Sequence, residues 1–504
     1  MQKESCHVHQ LQGIFLRRSF QIATSPATLL FILGAIAITG YAPFHFYPAT
    51  IFALAGLFHF WQKARSGKQA AWWGFSFGSG FFCAGTSWIY VSLHVYGGMP
   101  LWMGAFATFA FCEFLALFIA SAGWLTFKSS KPLVAGPILW VLFEWIKSWI
   151  FTGFPWLNVG YSQVPNSPLA GFAPILGIYG VSLLVAFTAI LMLLITKPST
   201  RRPALIAFIL LWVGSSILKH INWTQPVGEP ISVALLQGNI AQDMKWEPEV
   251  AQKTLDDYLA QVSQAKAKLI VMPETALPLL IEQVPADYLQ KLKEHASKQQ
   301  GDILMGAVEY VDLQYFNSML SIGSAENQAY RKSHLVPFGE YIPLKEVFGW
   351  IYRDWLHIPL TDLARGTTQP LPMHLAGQQV AVNICYEDVF GEEVIRQLPQ
   401  ATLLVNASND AWYGESLAAH QHLQMSQTRA LETGRMMLRA TNTGATAIIS
   451  PHGEVVAELP HFTKATLEGN AQGYSGATPY VLWGNFPALV IIALGLFIGF
   501  RKKS

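Results

Sequence analysis

Two side chains of chemically useful type stand at the ends of apolar, β-branched runs, and a third lies in a separate segment between them. Glu274 closes KLIVMPE, Cys385 closes QVAVNIC, and Lys332 lies in YRKSHLVPFGEYIP. A free thiol titrates near pH 8.5 and attacks poorly at neutral pH unless a base takes its proton or a cation favours the thiolate. A carboxylate can accept that proton, and an ammonium can stabilise both the thiolate and the oxyanion of an attacked carbonyl. Singly, each residue also has an ordinary reading. Glu274 suits a helix cap, Lys332 a solvated surface cation, Glu340 a polar turn, and Cys385 a small buried core position, the commoner fate of a free thiol. No GxGxxG, Walker or HExxH segment occurs, so nucleotide and zincin readings lack their anchors. No metal and no cofactor is expected.

The elements that would position these residues alternate between short β runs and helices. Strands are expected at 231–240, 268–275, 302–310, 316–323, 379–388, 402–410, 436–444 and 446–453. Helices are expected near 247–265, 285–300, 390–398 and 417–435. Nearly continuous β-branched runs suit a sheet covered on both faces. The spacing therefore predicts a layered α/β domain over 221–483, with its polar residues at strand ends, where such sheets carry their chemistry.

Elsewhere the chain is built differently. Only 13% of the 504 residues are charged, against about 25% in soluble proteins. Residues 1–220 hold 13 Lys/Arg, three Glu and no Asp, whereas 221–483 hold 17 Lys/Arg and 28 Asp/Glu. A nucleic-acid partner is excluded, since the globular part lacks a concentrated basic face. Eight apolar stretches, at 26–41, 47–62, 70–92, 99–126, 132–150, 169–196, 203–219 and 484–500, approach the roughly 20 residues that a bilayer-crossing helix needs. Their flanking cations alternate: Lys63, Arg65 and Lys68, then Lys128 and Lys131, then Lys197, Arg201 and Arg202, then Arg501 to Lys503. The opposite loops 42–46, 93–98 and 151–168 contain no Lys or Arg. By the positive-inside rule both termini are cytoplasmic and 221–483 lies outside. No cleavable signal peptide is expected. The domains are thus 1–220 with about seven transmembrane helices, 221–483 exported, and 484–504 with a last span and a basic tail. Within the spans, Glu144 and Lys147 are three apart on one helical face and suit a mutual pair. Glu113 is a further costly intramembrane charge. Cys6, Cys83, Cys112 and Cys385 support no disulfide framework.

Glu, Lys and Cys in this chain order, in PET (273–275), at Lys332 and in NICYED (383–388), resemble the signature of the nitrilase superfamily. QGNI (237–240) followed by KW (245–246), HLVPFGEYIP (334–343), SNDAWYG (408–414), HLQMSQTRALETGR (422–435), TNTG (441–444) and FTGFPWLNVGYSQ (151–163) narrow the likeness to its membrane-embedded branch, the apolipoprotein N-acyltransferases. The resemblance runs from about residue 25 to the C-terminus.

That resemblance implies a polytopic helical membrane part joined to a periplasmic αββα sandwich in a bacterial inner membrane. It implies acyl transfer from a phospholipid, usually phosphatidylethanolamine, through a Cys thioester to the α-amine of a diacylated apolipoprotein. Carried over, Cys385 is the nucleophile, Glu274 the base and Lys332 the oxyanion-stabilising cation, with Glu340 orienting Lys332. Tyr386 and Glu387 would shape the site, and Trp246 and Trp156 would line the substrate path. Trp412 and Tyr413 suit either a gate or loop packing. The aromatic segment 343–360 suits either an interfacial lid or core. A membrane-tethered amidase and a receptor-like binding module are the rival classes. The converging thiol, carboxylate and amine argue against a binding module, and the membrane half argues against a soluble-amide hydrolase.

Overall fold

The computed structural model describes residues 25–242, 245, 247–343, 345–346, 349–350 and 362–502. Helices form at all eight apolar stretches. They are α1 (Pro26–Ala37), α2 (Pro48–Lys63), α3 (Gly67–Thr86), α4 (Leu101–Lys128), α5 (Pro132–Lys147), α6 (Ala173–Ile195), α7 (Arg201–Lys219) and, after the polar part, a last helix at Phe486–Phe500. Three are long and apolar enough to cross a bilayer: Leu101–Lys128, Pro168–Ile195 and Arg201–Lys219. Local chemistry sets the starts. The Ser25 hydroxyl accepts from the Thr28 amide ahead of Pro26, and Ser66 caps α3 in the same way. Helices α1 and α3 pack backbone to backbone, because a Cβ on Gly80 would lie 1.9 Å from the Phe31 carbonyl oxygen and one on Gly34 2.1 Å from that of Phe77. Only residues without a side chain permit so close an approach of two helix backbones.

Two expected stretches end early. Helix α3 stops at Thr86 rather than running to 92, and Val91–Tyr96 forms a separate wider-wound turn. Helix α5 stops at Lys147 rather than 150, since Phe151 (φ 52°) and Gly153 (φ 91°) reverse the chain into the loop that follows.

The polar part holds two six-stranded sheets. Strands β1 (Gln225–Gln237), β2 (Leu269–Val271), β3 (Asp302–Val311), β4 (Gln314–Gly323) and β5 (Ala329–Arg331) form the first, with β12 (Ala465–Ser475) at its edge, in the order β12-β1-β2-β3-β4-β5. The second, β11-β10-β9-β8-β7-β6, comprises β6 (Met373–Leu375), β7 (Gln378–Ile384), β8 (Leu403–Ser408), β9 (Met437–Thr441), β10 (Ala447–Ile449) and β11 (Val455–Glu458). Each sheet has a parallel centre, β1-β2-β3 in one and β7-β8-β9 in the other, and antiparallel flanks. Alternation along the strands builds the layers. Val233, Leu235, Val271 and Leu304 meet Val382, Ile384, Val405 and Leu438 between the sheets. Their neighbours Ala234, Leu236, Ile270 and Met305 instead pack under α8 (Pro248–Gln264) and α9 (Ala286–Lys298). The result is the expected αββα sandwich.

Four strands were not expected: β5, β6, β11 and β12. In its sequence, ATLEGNAQGYS, β12 has only a thin apolar face, Leu467 and Ala471 among glycines. It is a strand because it completes an antiparallel ladder with β1, from Ile231↔Ala471 to Gln237↔Ala465. Helix α10 (Leu417–Thr433) covers the second sheet, and 15 of its 17 residues are buried. The reason is a third layer: the apolar helices and the 151–168 loop lie on its outer side, so that even Gln421, Gln424 and Arg429 are shut from solvent.

Candidate active site

Strand ends bring the three chemical residues together. Glu274 stands in the turn beyond β2, Lys332 directly follows β5, and Cys385 directly follows β7. Lys332 is 1% exposed and lies between two carboxylates, 3.2 Å from Glu274 Oε1 and 2.9 Å from Glu340 Oε1. The Asn317 amide bridges the same pair, donating to Glu274 Oε1 at 2.7 Å and to Glu340 Oε1 at 2.9 Å. The second oxygen of Glu274 accepts from the Asn409 amide at 3.0 Å, and that of Glu340 from the Val336 amide at 2.8 Å. A second buried cation, Lys245, donates to Thr275 Oγ1 at 2.5 Å and acts on Glu274.

These contacts fix the charge states. Burial pushes the Glu274 carboxyl up, but Lys332, the Asn317 hydrogen bond and Lys245 outweigh it and hold the group below its usual range. Burial pushes Lys332 down, and Glu274 with Glu340 lifts it well above the ordinary lysine value. Burial and the Glu274 carboxylate raise Cys385 well above an ordinary thiol, against the pull of Lys332. At rest the site therefore holds a thiol, a carboxylate and an ammonium. Lys245 is depressed to about 8, mainly by burial.

Cys385 occupies a left-handed conformation, φ 52°, which costs a non-glycine residue about 1–2 kcal/mol. Glu387 secures the turn. Its Oε2 accepts from the Ile384 amide (2.7 Å) and the Tyr330 hydroxyl (2.7 Å), and its Oε1 from the Ser333 amide (2.7 Å), the Ser333 hydroxyl (3.0 Å) and the His334 amide (3.1 Å). Glu387 thus staples the segment bearing Lys332 to the turn bearing Cys385, across the gap between the two sheets.

The membrane half reaches the same turn. Tyr386 donates to the Gly153 carbonyl and stacks on Trp156, with ring centroids 6.3 Å apart. Trp156 is fully buried and donates to Gln421 Oε1 at 2.6 Å, an oxygen that Trp88 also reaches at 3.2 Å. Tyr413 packs edge-on against Trp88 at 4.8 Å, within electrostatic reach of Cys385. Trp412 is half-exposed and meets Tyr96, and its carbonyl accepts from Ser92. Trp246 and most of 343–360 lie outside the described residues.

Glu144 and Lys147 do not pair as expected. Lys147 Nζ donates to the Trp156 carbonyl at 2.5 Å, while Glu144 Oε1 accepts from the Val159 amide at 2.7 Å and Trp140 at 2.9 Å. Each takes a backbone partner in the 151–159 loop, which is buried and would otherwise leave those groups unsatisfied. Glu113 accepts from Ser79 and lies 3.8 Å from the Cys83 sulfur. Among the described residues no group of three or more His, Cys, Asp or Glu is placed to hold a metal ion.

Sequence reasoning missed Asn317, Asn409, Lys245 and Trp88. It also missed a buried quartet of Asp388, His422, Asp410 and Arg439 beneath the Cys385 turn. Lys245, Asp388, Asn409, Asp410 and His422 lie within segments already noted for their resemblance, and Asn317 and Arg439 are polar residues inside otherwise apolar strands, which must find partners when buried.

A two-sheet sandwich with Glu, Lys and Cys converging on its strand ends defines a carbon–nitrogen hydrolase domain. Residues 232–480 match the carbon-nitrogen hydrolase family model, and residues 33–191 match that of the apolipoprotein N-acyltransferase N-terminal domain. The apolipoprotein N-acyltransferase of Nitrosomonas europaea is 52% identical over 93% of this chain and 96% of its own. Those of Chromobacterium violaceum (42%, over 96% of each chain) and Methylococcus capsulatus (41%, over 95% of this chain and 97% of its own) are also similar. The chain belongs to the apolipoprotein N-acyltransferase family.

Proposed function

We propose that this protein moves an acyl chain from a phospholipid, ordinarily phosphatidylethanolamine, to the α-amine of the N-terminal diacylglyceryl-cysteine of an apolipoprotein. The observation that carries the mechanism is the convergence at the strand ends of Cys385 with Glu274, which Lys332 holds at 3.2 Å, burial favouring the neutral thiol at rest. Glu274 takes the Cys385 proton as sulfur adds to the ester carbonyl. The oxyanion faces Lys332, two of whose three N–H groups already go to carboxylates, leaving one to donate. Collapse expels the lysophospholipid alkoxide, which takes the proton back from Glu274, and a thioester remains on Cys385. The neutral amine of the apolipoprotein then adds to that thioester. Glu274 receives the amine proton and returns it to the departing thiolate, completing the amide.

Both substrates are membrane-anchored, so tethering the sandwich to the bilayer raises their effective concentration. The contacts of Tyr386 with Gly153 and Trp156 of the membrane-side loop support an acyl chain arriving from that side. We take all eight apolar helices as spans, residues 1–220 and 484–504 as the membrane part with cytoplasmic ends, and 221–483 as the periplasmic domain. The alternating loop cations support that orientation.

The deciding experiment incubates the purified enzyme with acyl-labelled phosphatidylethanolamine. Alkali-labile label on the protein and one equivalent of lysophospholipid are expected, then a stall that a diacylated lipopeptide relieves. Cys385→Ala should form no adduct. Steady fatty-acid release without acceptor would instead establish the hydrolase reading.

A further inference from the structure

We propose that Arg439 is a positioning residue for the nucleophile, acting through Asn406 on the backbone of Cys385, with the neutral Asp388–His422–Asp410–Arg439 quartet as its anchor. The inference rests on the reading of Cys385 as the nucleophile. Arg439 is completely buried in the middle of β9. Its Nη1 donates to Asn406 Oδ1 at 2.7 Å, and the Asn406 amide donates to the Cys385 carbonyl at 3.0 Å. This is a two-step link from a fixed guanidinium to the left-handed turn that aims the thiol.

The guanidinium is itself fixed from several sides. Nη2 lies 2.7 Å from Asp410 Oδ2, and Nη1 lies 3.4 Å from Asp388 Oδ2 and 3.0 Å from the Ser426 hydroxyl, which also bonds Asp388. His422 joins the other carboxylate oxygens, with Nδ1 3.0 Å from Asp410 and Nε2 2.8 Å from Asp388. Carboxylates accept only, so both ring nitrogens must carry hydrogen, and His422 is an imidazolium. Two anions and two cations then sum to zero in a site where an unpaired charge would be costly. Burial pushes the His422 value down, yet the two carboxylates leave it raised overall, in keeping with the geometry. Asp388 belongs to the Cys385 turn, Asp410 follows β8, Arg439 is central in β9 and His422 lies on α10, so the quartet ties three neighbouring strands to the helix that covers them.

The turn needs an external hold. Relaxation of Cys385 from φ 52° toward an ordinary conformation would swing the sulfur, and misplacement of a reacting atom by about 1 Å costs on the order of 100-fold.

The test uses full-length enzyme in detergent with phosphatidylethanolamine and reads the single-turnover release of lysophospholipid, the KM for lipid and the melting temperature. Asn406→Ala cuts the link while leaving the four charges paired. It should lower the single-turnover rate about 100-fold with KM within about twofold. Arg439→Lys keeps a cation for Asp410 but loses the forked geometry, and should give the same loss. The double variant should be no slower than the slower single, because both cut one chain. An unchanged rate in Asn406→Ala, losses that multiply in the double variant, or a raised KM with the rate intact would each overturn the proposal. Where Arg439→Lys does not fold, Asn406→Ala alone decides. Transfer surviving in Cys385→Ala would sink the nucleophile assignment itself. An inactive Cys385→Ala beside a fully active Asn406→Ala would sink only the positioning role.

Discussion

The hydroxyl of Tyr386, the residue after Cys385, donates to the carbonyl of Gly153 at 3.1 Å, across 233 positions of sequence. The contact joins the turn that carries the thiol to the loop that leaves α5. That loop is held in turn by Lys147 at Trp156 and by Glu144 at Val159. Two ionisable residues of the apolar helix α5 thus hold the loop that meets the Cys385 turn.

Tyr386→Phe removes this one bond and leaves the ring packing. A neutral hydrogen bond is worth about 1 kcal/mol, or about fivefold. Transfer should fall by about that factor with Cys385 still acylated. Initial rates across phospholipid concentration check this, and an unchanged rate would show the bond to be dispensable.

Lys332→Ala should do more than slow the reaction. Strand-end polar groups contribute little apolar area, but this lysine separates the buried Glu274 carboxylate from the half-buried Glu340 carboxylate. Removing it leaves them facing each other, at about 3–5 kcal/mol of stability, besides about 10²–10³ in rate. Adding Glu340→Gln should restore much of the stability and none of the activity. Thermal unfolding alongside single-turnover rates separates the two effects.

His422 gives the stability a pH dependence. Its folded-state value is raised above the ordinary 6.5, so its contribution is complete below pH 6.5 and is lost as pH rises through the raised value. The charged groups facing it are Asp388, Asp410 and Arg439, with Cys385 and Tyr413 beyond Asp410. Wild-type enzyme should therefore lose melting temperature above neutrality more steeply than His422→Gln, which should be less stable throughout. Parallel curves would contradict an imidazolium at this position.

Orientation is open to direct labelling. With Cys6, Cys83 and Cys112 replaced, Leu313→Cys at the exposed tip between β3 and β4 should react with an impermeant thiol reagent in intact spheroplasts. Lys502→Cys should react only after permeabilisation. The opposite pattern would reverse the topology.

Glu274 and Cys385 stand out in the sequence because they end β-branched runs, Lys332 only through its place in the Glu, Lys, Cys order, and the eight apolar stretches through their length and hydropathy. Those properties belong to the chain alone. The structure decided what depends on distant partners: β12, whose apolar face is only Leu467 and Ala471 among glycines, is a strand because β1 offers it a ladder. Glu144 and Lys147 are spaced to pair with each other, yet a buried loop backbone needed their hydrogen bonds more. Asp388, His422, Asp410 and Arg439 come from four separate segments, and each reads alone as an ordinary polar residue. Only when the second sheet and α10 close on one another are their charges shut from water, and from then on they must neutralise one another beneath the thiol.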